Sequence, residues 1–233
     1  MKKIVFILTI TLFAFPSLAQ QKKVQNTPYA DHKMYHLGFH VGLHAQDLIF
    51  THNGIATPTG ETWFAEIPNY TPGFSVGVIG DMFLNPYMNL RLIPTIHFGD
   101  KTIVFREPAS ETEKLIRMRT NYLDMPLNLK ISSVRVNNYR PYIIGGAYGA
   151  LELGSKLGLP LLFQNYDYGV EFGLGCTFYL PFFKLAPELK FKFGLPDIHE
   201  KNRVDLTNEN DKVYSNALSK VTTRMIVFTF NFE

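Results

Sequence analysis

The sequence predicts an all-β protein, an eight-stranded antiparallel up-and-down transmembrane β-barrel with short periplasmic turns and long extracellular loops. Three observations predict this fold. Strand-length segments carry one apolar and one polar face, short connections alternate with long ones, and no uninterrupted apolar stretch beyond residue 19 is long enough for a membrane-spanning helix. The length of 233 residues is compatible with one domain.

The first nineteen residues have the pattern of a cleaved export signal. Lys2 and Lys3 precede a short apolar run over residues 4–15, and Ser17 and Ala19 offer small residues for cleavage after Ala19. The competing interpretation, a membrane anchor, is disfavoured because the run is too short to span a bilayer comfortably. We therefore expect residues 1–19 to be a signal peptide, 20–33 a polar periplasmic lead-in and 34–233 the barrel domain.

The charge balance and the cysteine usage exclude other classes of protein. Without Lys2 and Lys3, the 23 basic residues fall to 21 against 20 acidic ones. This near-neutral balance, with no basic run, argues against nucleic acid as a partner. The single cysteine, Cys176, cannot form an internal disulfide. A closed hydrogen-bonded barrel would supply the stability that exported domains often take from disulfides.

The hairpin over residues 168–195 shows the alternation most clearly. Side chains alternate between the two faces of a strand, and all five charged residues here fall on one face. The apolar face carries Val170, Phe172, Leu174, Cys176, Phe178 and Leu180, and continues after a change of parity with Phe183, Leu185, Pro187, Leu189, Phe191, Phe193 and Leu195. Each strand is about 11 residues long, which suits a tilted crossing of a bilayer.

Strand one alternates apolar residues with histidines. His36, His40 and His44 would share one face of a helix, but Gly38 and Gly42 and the two-residue period argue for a strand. Residues four apart on a strand lie about 13 Å apart, too far to share one metal ion without a ligand from a neighbouring strand. We expect these histidines to face the lumen and predict no metal site.

Five other strands complete the predicted ring. The apolar rows lie within residues 74–84, 88–98, 123–131 and 226–232, besides the hairpin. Strand five, residues 141–151, is rich in glycine, so its register is weakly specified. Pro94 removes a backbone donor from strand three, and we expect a bulge or a local irregularity there.

The connections fix the direction of the apolar rows. Long polar loops are predicted over residues 47–73, 99–117, 152–165 and 196–220, with short turns after strands two, four and six. Trp63 and Tyr70 of the first loop could mark a membrane interface. Such asymmetry is typical of outer-membrane barrels, and an even strand count places both termini in the periplasm. The apolar rows then face lipid, Cys176 included.

The lumen of an eight-stranded barrel is barely wide enough for its own side chains. With a short hairpin turn, Tyr179 faces Lys184, Gly175 faces Glu188, Gly173 faces Lys190 and Glu171 faces Lys192. Charges away from bulk water must pair. We predict a structural lumen network rather than a transport path, made of Arg91, Asp124, Lys130, Glu171, Lys184, Glu188, Lys190 and Lys192.

No constellation of catalytic residues is recognisable. None of the serines at positions 75, 110, 132, 133, 155, 215 and 219 sits in a nucleophile elbow or beside a histidine in sequence. There is no phosphate-binding loop or dinucleotide fingerprint. We therefore predict a protein that is not an enzyme and needs no cofactor.

Several motifs resemble the PorT family, called SprT in gliding relatives. They are Pro72-Gly73-Phe74 with Val76-Gly77, Leu90-Arg91-Leu92-Ile93-Pro94, Tyr122-Leu123-Asp124-Met125-Pro126-Leu127, Arg140-Pro141-Tyr142-Ile143-Ile144-Gly145-Gly146, Phe178-Tyr179-Leu180-Pro181-Phe182-Phe183-Lys184, Glu188-Leu189-Lys190 and Phe230-Asn231-Phe232-Glu233. Their order and spacing carry the resemblance across most of the mature chain, whereas the loops carry the least.

The resemblance implies an outer-membrane component of the type IX secretion system of Bacteroidota. Such a component helps to export cargo with a C-terminal sorting domain and supports gliding motility in some members. Expected partners are outer-membrane lipid and other envelope proteins of the secretion complex, with no small-molecule substrate. Two alternatives stay open from the sequence: a lipid A-modifying barrel enzyme, and a small-ligand or adhesion barrel.

Overall fold

The computed structural model describes residues 25–52, 64–67, 71–107, 112–154, 162–200 and 218–233. Apart from a 3-10 turn at Ala30–His32, the regular structure in these residues is β-strand. The strands are β1 (Tyr35–His52), β2 (Phe64–Glu66), β3 (Gly73–Asn85), β4 (Met88–Leu92), β5 (Thr95–Glu107), β6 (Thr112–Ser132), β7 (Tyr139–Glu152), β8 (Tyr166–Tyr179), β9 (Lys184–Gly194) and β10 (Leu218–Phe232).

The strands form a closed antiparallel ring of eight members. Neighbours in sequence pair from β6 through β10, and β10 pairs with β1. The ring closes because β1 also pairs with β3, from Tyr35 opposite Met82 to His44 opposite Gly73. β4 and β5 are two parts of one interrupted strand between β3 and β6, and the short β2 pairs with the end of β5. The predicted eight-stranded barrel is confirmed.

The interruption of the third predicted strand lies where Pro94 predicts an irregularity. β4 ends at Leu92 and β5 begins at Thr95. Backbone hydrogen bonds continue through the break, since the Ile93 amide donates to the Pro126 carbonyl and the Val78 amide donates to the Pro94 carbonyl. β3 and β6 keep the same register on both sides of the break. The expected irregularity at Pro94 is therefore present as an interruption of the strand, without the extra residue of a bulge.

The apolar rows point outward and the polar rows point inward. On β1, Leu37 is 82% exposed and Leu43 is 60% exposed, whereas His40 and His44 are buried. The same alternation holds for the outer rows predicted for the other strands. On β7, which is the predicted strand five, the sequence leaves open which side chains face outward. In the structure Ile143 and Leu151 face outward, and Tyr142 and Tyr148 face inward.

The outward apolar rows form a belt with the height of a membrane core. On β1 the belt covers residues 37–45, and Asp47 is the first charged residue beyond it. About nine residues at about 3.3 Å each, tilted by about 40°, span about 23 Å, close to the apolar band of about 25 Å on outer-membrane barrels. Cys176 lies in this belt as a free, half-buried thiol.

The loops at the far end of the barrel are shorter than the sequence suggests. The prediction of a polar loop over residues 99–117 is wrong, because β5 continues to Glu107 and β6 begins at Thr112. The loop predicted over residues 47–73 is interrupted by the end of β1 and by β2, and β10 begins at Leu218 inside the last predicted loop. We call this end of the barrel the long-loop end, and the opposite one the short-turn end.

The polarity of the two faces reverses in these strand extensions. Within the apolar belt, up to its rim at the level of Asp47, apolar residues face outward. Beyond the rim they face inward, as Ile103 and Phe105 do on β5 and Ile116 and Met118 do on β6. Outward positions there carry charges such as Arg119. The reversal explains the wrong prediction, because the extensions keep a two-residue period but lack an outward apolar row.

The inward side chains of the extensions form an apolar cluster across the long-loop end. It packs residues of β1, β2, β5, β6 and β10 against two residues of the connecting segments, and consists of Leu48, Ala65, Ile103, Phe105, Ile116, Met118, Phe163, Ile198, Leu218 and Val221. Burial of this apolar surface stabilises the strand extensions. The polar lumen therefore lies beneath an apolar cap.

Some predictions fall on residues that the structure does not describe. The signal peptide over residues 1–19, Trp63 and Tyr70 lie outside the described residues. In the described part of the chain, no helix is long and apolar enough to cross a membrane.

One inward-facing and one outward-facing glycine together test the packing of the lumen. A Cβ atom at Gly175 would lie 2.5 Å from the ring and hydroxyl of Tyr142, whereas a Cβ atom at Gly149, on the outer face of β7, would meet no atom within 4 Å. We expect Gly175→Val to lower the free energy of unfolding by about 1–3 kcal/mol through overpacking, and Gly149→Val to leave it unchanged or raise it. Denaturant titration of the lipid-reconstituted barrel measures both, and equal effects would contradict the lumen packing.

Candidate functional site

The eight residues that the sequence predicts in the lumen are all buried inside the barrel. Arg91 is 0% exposed and Glu188 is 1% exposed, and the others lie between 2% and 8%. The predicted cross-strand pairs are present: Glu171 lies opposite Lys192, Gly173 opposite Lys190, Gly175 opposite Glu188 and Tyr179 opposite Lys184. The remaining members of the set are Asp124 and Lys130, both on β6.

Arg91 is the centre of the charged cluster nearest the short-turn end. Its Nη2 lies 2.8 Å from Asp81 Oδ2 and 2.5 Å from Glu233 Oε1, and its Nε donates to Asp81 over 2.9 Å. Glu188 is a more distant neighbour, 3.9 Å from Nη1. Asn89 donates a further hydrogen bond to Asp81. A fully buried guanidinium is thus surrounded by carboxylates from three parts of the wall.

Asp81 and Glu233 are missing from the predicted set, although the sequence carries a signal for both. Asp81 lies between Gly80 and Met82 of an outward row, so its parity places it inside. Glu233 follows Phe232 of the outward row on β10. Only the register shows that they reach Arg91, since Asp81 pairs with Arg91 across β3 and β4 and the backbone of Glu233 pairs with that of Lys184.

The middle of the lumen alternates lysines with carboxylates. Lys190 Nζ lies 3.4 Å from Glu188 and 4.0 Å from Glu171. Lys192 Nζ lies 3.1 Å from Glu171 and makes a close ion pair with Asp124. These contacts link β6, β8 and β9 through their side chains as well as through their backbones.

Neutral donors complete the coordination of the carboxylates. The Asn128 amide donates to Glu171 over 2.5 Å, and the Tyr142 hydroxyl donates to Glu188 over 2.7 Å. Lys130 lies over the Tyr142 ring, 4.4 Å from its centroid. A buried charge that is both paired and hydrogen-bonded avoids most of the desolvation penalty of an isolated ion. The arrangement suits a rigid filled interior.

The histidines of β1 contact polar groups of β5. His40 Nε2 lies 2.9 Å from the Thr95 hydroxyl, and the His44 ring meets the His97 ring edge-on with centroids 4.9 Å apart. His97 Nε2 in turn lies 3.4 Å from Asp124. Among the described residues, no group of three or more His, Cys, Asp or Glu side chains could hold a metal ion.

One serine lies closer to a histidine than the sequence suggests. Ser75 of β3 is paired with His97 of β5, which contacts Asp124. The expectation from the sequence concerned neighbours along the chain, and the register of β3 and β5 adds this neighbour across the two strands. Ser75 is 0% exposed, and its hydroxyl has no hydrogen-bond partner in the described structure.

The segment before β1 folds against the short-turn end. Asp31 accepts hydrogen bonds from the Tyr179 hydroxyl over 2.7 and 2.8 Å and lies 3.2 Å from Lys184 Nζ. The Arg135 guanidinium stacks on the Tyr179 ring at 3.6 Å and donates to the backbone carbonyl of Asn26. Burial alone would raise the pKa of Asp31, but the Tyr179 hydrogen bond and the Lys184 charge together lower it.

Two small cavities lie beside these groups in the described part of the chain. One lies between the middle of the lumen and the cap and is lined by residues that include His97, Asp124 and Lys192. The other lies at the short-turn end beside Asp31 and Glu233. Each has a volume of about 20 Å³, enough for about one water molecule.

Together, the outward apolar belt and the ion-paired interior define the class of protein. A closed antiparallel ring whose exposed belt is apolar and whose inside is charged is a membrane-spanning β-barrel, because only a closed sheet satisfies every backbone group within lipid.

Comparison with known proteins places this barrel in a family. Residues 18–200 match the model of the family described as outer membrane protein beta-barrel domain, and the chain belongs to that family. It is an outer-membrane barrel, embedded in the lipid of that membrane. None of the curated proteins matches the chain.

Several solved outer-membrane proteins are similar to this chain in backbone structure, at low sequence identity. OprG from Pseudomonas aeruginosa is 12% identical with a TM-score of 0.45, over 85% of this chain and 92% of OprG. AlkL, solved in lipid bilayers, is 10% identical with a TM-score of 0.41, over 91% of both chains. Ail, the attachment invasion locus protein of Yersinia pestis, is 12% identical with a TM-score of 0.34, over 84% of this chain and 96% of Ail.

Removal of the Arg91 guanidinium tests whether the buried ion pairs stabilise the barrel. We expect Arg91→Met to lower the free energy of unfolding by about 3–5 kcal/mol, because it leaves buried carboxylates without their cation. The control is Arg106→Met, which removes an ion pair to Glu113 with both side chains about half exposed and costs about 0–1 kcal/mol. Denaturant unfolding in the same lipid gives both values. A loss for Arg91→Met no larger than that of the control would contradict the role of Arg91.

Proposed function

We propose that this barrel is a non-enzymatic component of the type IX protein secretion system, needed for export of cargo with a sorting domain. It acts as an accessory or assembly part of the secretion complex rather than as a pore, and it supports gliding motility where the cell glides. The observation that carries the accessory role is the filled lumen. Its buried side chains form ion pairs along the wall and, for Arg91 with Glu233 and Lys192 with Asp124, between strands that are not neighbours.

The filled lumen argues against conduction of cargo. Each of the two cavities described beside the buried charges has room for about one water molecule. The apolar cap crosses the long-loop end, and the Asp31 contacts hold the preceding segment against the short-turn end. Passage of a polypeptide would require these ion pairs to separate without water to replace them. The useful contacts of the protein therefore lie on its outside.

The secretion role rests on the resemblance to the PorT family, and its most specific motif lies at the short-turn end. In the stretch 178–184, Tyr179 and Lys184 point inward and hold Asp31. Phe182, at the tip of the same turn, is 93% exposed. An exposed aromatic side chain on a rigid turn is a suitable anchor for a protein partner. We propose that this end faces the periplasm, as do both termini, and contacts another envelope protein of the complex.

Deletion of the gene tests the proposed function directly. We expect cargo with a sorting domain to accumulate in the periplasm of the deletion strain, and the wild-type gene to restore its delivery to the surface. Normal delivery in the deletion strain would contradict the proposal. Unchanged lipid A mass spectra in the same strain would remove the alternative of a lipid A-modifying enzyme.

A point variant tests whether the proposed contact with another envelope protein lies at Phe182. Phe182→Ser should impair delivery in the complemented strain, because it removes the exposed anchor without disturbing the wall. Leu153→Ser is the matched control, since Leu153 is 58% exposed at the opposite end of the barrel. Both variants should keep the faster mobility of the unheated barrel in gel electrophoresis. Equal delivery by the two variants would contradict a contact at Phe182.

A further inference from the structure

The Asp31 carboxylate occupies a site that the barrel wall builds at the short-turn end. Three side chains from three neighbouring strands converge on it, Arg140 of β7, Tyr179 of β8 and Lys184 of β9. We call these three residues the cradle. The Tyr179 hydroxyl donates to both carboxylate oxygens, and Lys184 Nζ and Arg140 Nη1 lie 3.2 and 3.5 Å from them. Within the described residues, Asp31 is the only carboxylate at ion-pairing distance from Arg140 and Lys184.

A second anchor holds the backbone of the same segment a few residues earlier. The Arg135 guanidinium, which stacks on the Tyr179 ring, donates to the carbonyls of Asn26 and Thr27 over 2.5 and 3.3 Å. The Asn26 side chain donates to the Tyr179 carbonyl over 3.0 Å. We call residues 26–31 the latch, because both anchors tie them to the turns of the barrel.

The latch is held by polar contacts and buries little apolar surface. Its one aromatic side chain, Tyr29, is 81% exposed. The backbone pairing of the barrel begins just after the latch, where the Phe83 amide donates to the Met34 carbonyl. A hydrogen bond that water can replace contributes little net free energy, and partly exposed ion pairs contribute modestly. The latch can therefore leave the short-turn end without breaking a strand.

Departure of the latch would leave the cradle with unpaired cations. The side chains of Arg140 and Lys184 are only 12% and 10% exposed, and Asp31 is their ion-pair partner. Cations that are largely withdrawn from water favour an anionic partner over a neutral one. The ion pairs of Arg91 lie deeper in the barrel and do not involve the latch, so the lumen stays filled when the latch is away.

We propose that the cradle is a carboxylate-binding site for an acidic segment of a partner protein, and that the latch closes this site until the segment replaces it. The partner's carboxylate then takes the place of Asp31, and Arg135 donates to the partner's backbone carbonyls as it does to those of the latch. Phe182, 93% exposed on the turn between Tyr179 and Lys184, adds an apolar contact beside the site. That this partner is an envelope protein of the secretion complex rests on the proposed function, whereas the exchange at the cradle does not.

The geometry of the two anchors favours a polypeptide over other anions. Arg135 donates to two successive backbone carbonyls, an arrangement that a polypeptide offers and a small carboxylate lacks. Tyr179 and Lys184 belong to the inward rows and are 2% and 8% exposed, so they face away from the lipid around the barrel. A membrane lipid would meet the outward rows instead.

Hydrogen exchange of the full-length protein in detergent micelles tests whether Asp31 holds the latch. Asp31→Asn should speed the exchange of the backbone amides of residues 26–31 about tenfold, because the latch loses its charge-assisted hydrogen bonds. The matched control is Asp100→Asn, which neutralises an exposed carboxylate 3.7 Å from Arg119 on the outside of β5. This control should leave the exchange of the latch unchanged.

A fluorescent peptide with the sequence of residues 25–33 is the probe for exchange at the cradle. It should bind the Asp31→Asn protein more tightly than the wild-type protein, whose own latch competes with it. Replacing the aspartate of the peptide by asparagine should weaken this binding about tenfold, as should Lys184→Gln in the Asp31→Asn protein. Fluorescence anisotropy measures each affinity.

Four results would overturn the proposal. They are equal exchange of the latch in Asp31→Asn and wild-type proteins, equal binding of the aspartate and asparagine peptides, no effect of Lys184→Gln, and a stable dimer of the Asp31→Asn protein, which would make a second copy the occupant. Heat-dependent gel mobility establishes that each variant is folded, and a variant that fails this check is replaced by Asp31→Ser or Lys184→Met. Cargo delivery enters none of these measurements, so failure of the proposed function would leave their outcome unchanged.

Discussion

The pairing of buried charges is the constraint on which the rest of this barrel depends. An eight-stranded ring leaves no room for bulk water, so each inward lysine, arginine or carboxylate needs a partner on another strand. Arg91 meets Asp81 and Glu233, and Lys192 meets Asp124 and Glu171. The glycines opposite Glu188 and Lys190 leave space for these long side chains. Register, side-chain size and charge are therefore fixed together.

The reversal of polarity along the strands divides the molecule into two parts. Within the membrane the wall is apolar outside and charged inside, and beyond the rim it is charged outside and apolar inside. The apolar cap around Ile103 and Phe105 covers the charged lumen at the long-loop end. Asp31 and Tyr179 connect the preceding segment to the short-turn end. Both ends of the lumen are thus covered by described residues, and the outer surfaces remain for contacts with partners and lipid.

The sequence predicts the membrane part of the fold well because a two-residue period with an apolar outer row is a strong local signal. It predicts the register of the hairpin around Glu171 and Lys192 and the break at Pro94. It misses the extensions beyond Gly99, since their outer rows are polar and resemble loops. It also misses Asp31, Asp81 and Glu233 as partners of the interior. Asp81 reaches Arg91 through the register of β3 and β4, Glu233 reaches it through the pairing of its backbone with Lys184, and Asp31 lies in a segment outside the strands.

A lumen filled by paired charges should not conduct ions. The most direct measurement is the ionic current through the purified full-length protein, reconstituted into planar lipid bilayers. A barrel filled by paired charges and covered at both ends predicts no resolved conductance steps at moderate voltage. Reproducible ohmic steps from the wild-type protein would contradict the filled lumen, and with it the accessory role in secretion.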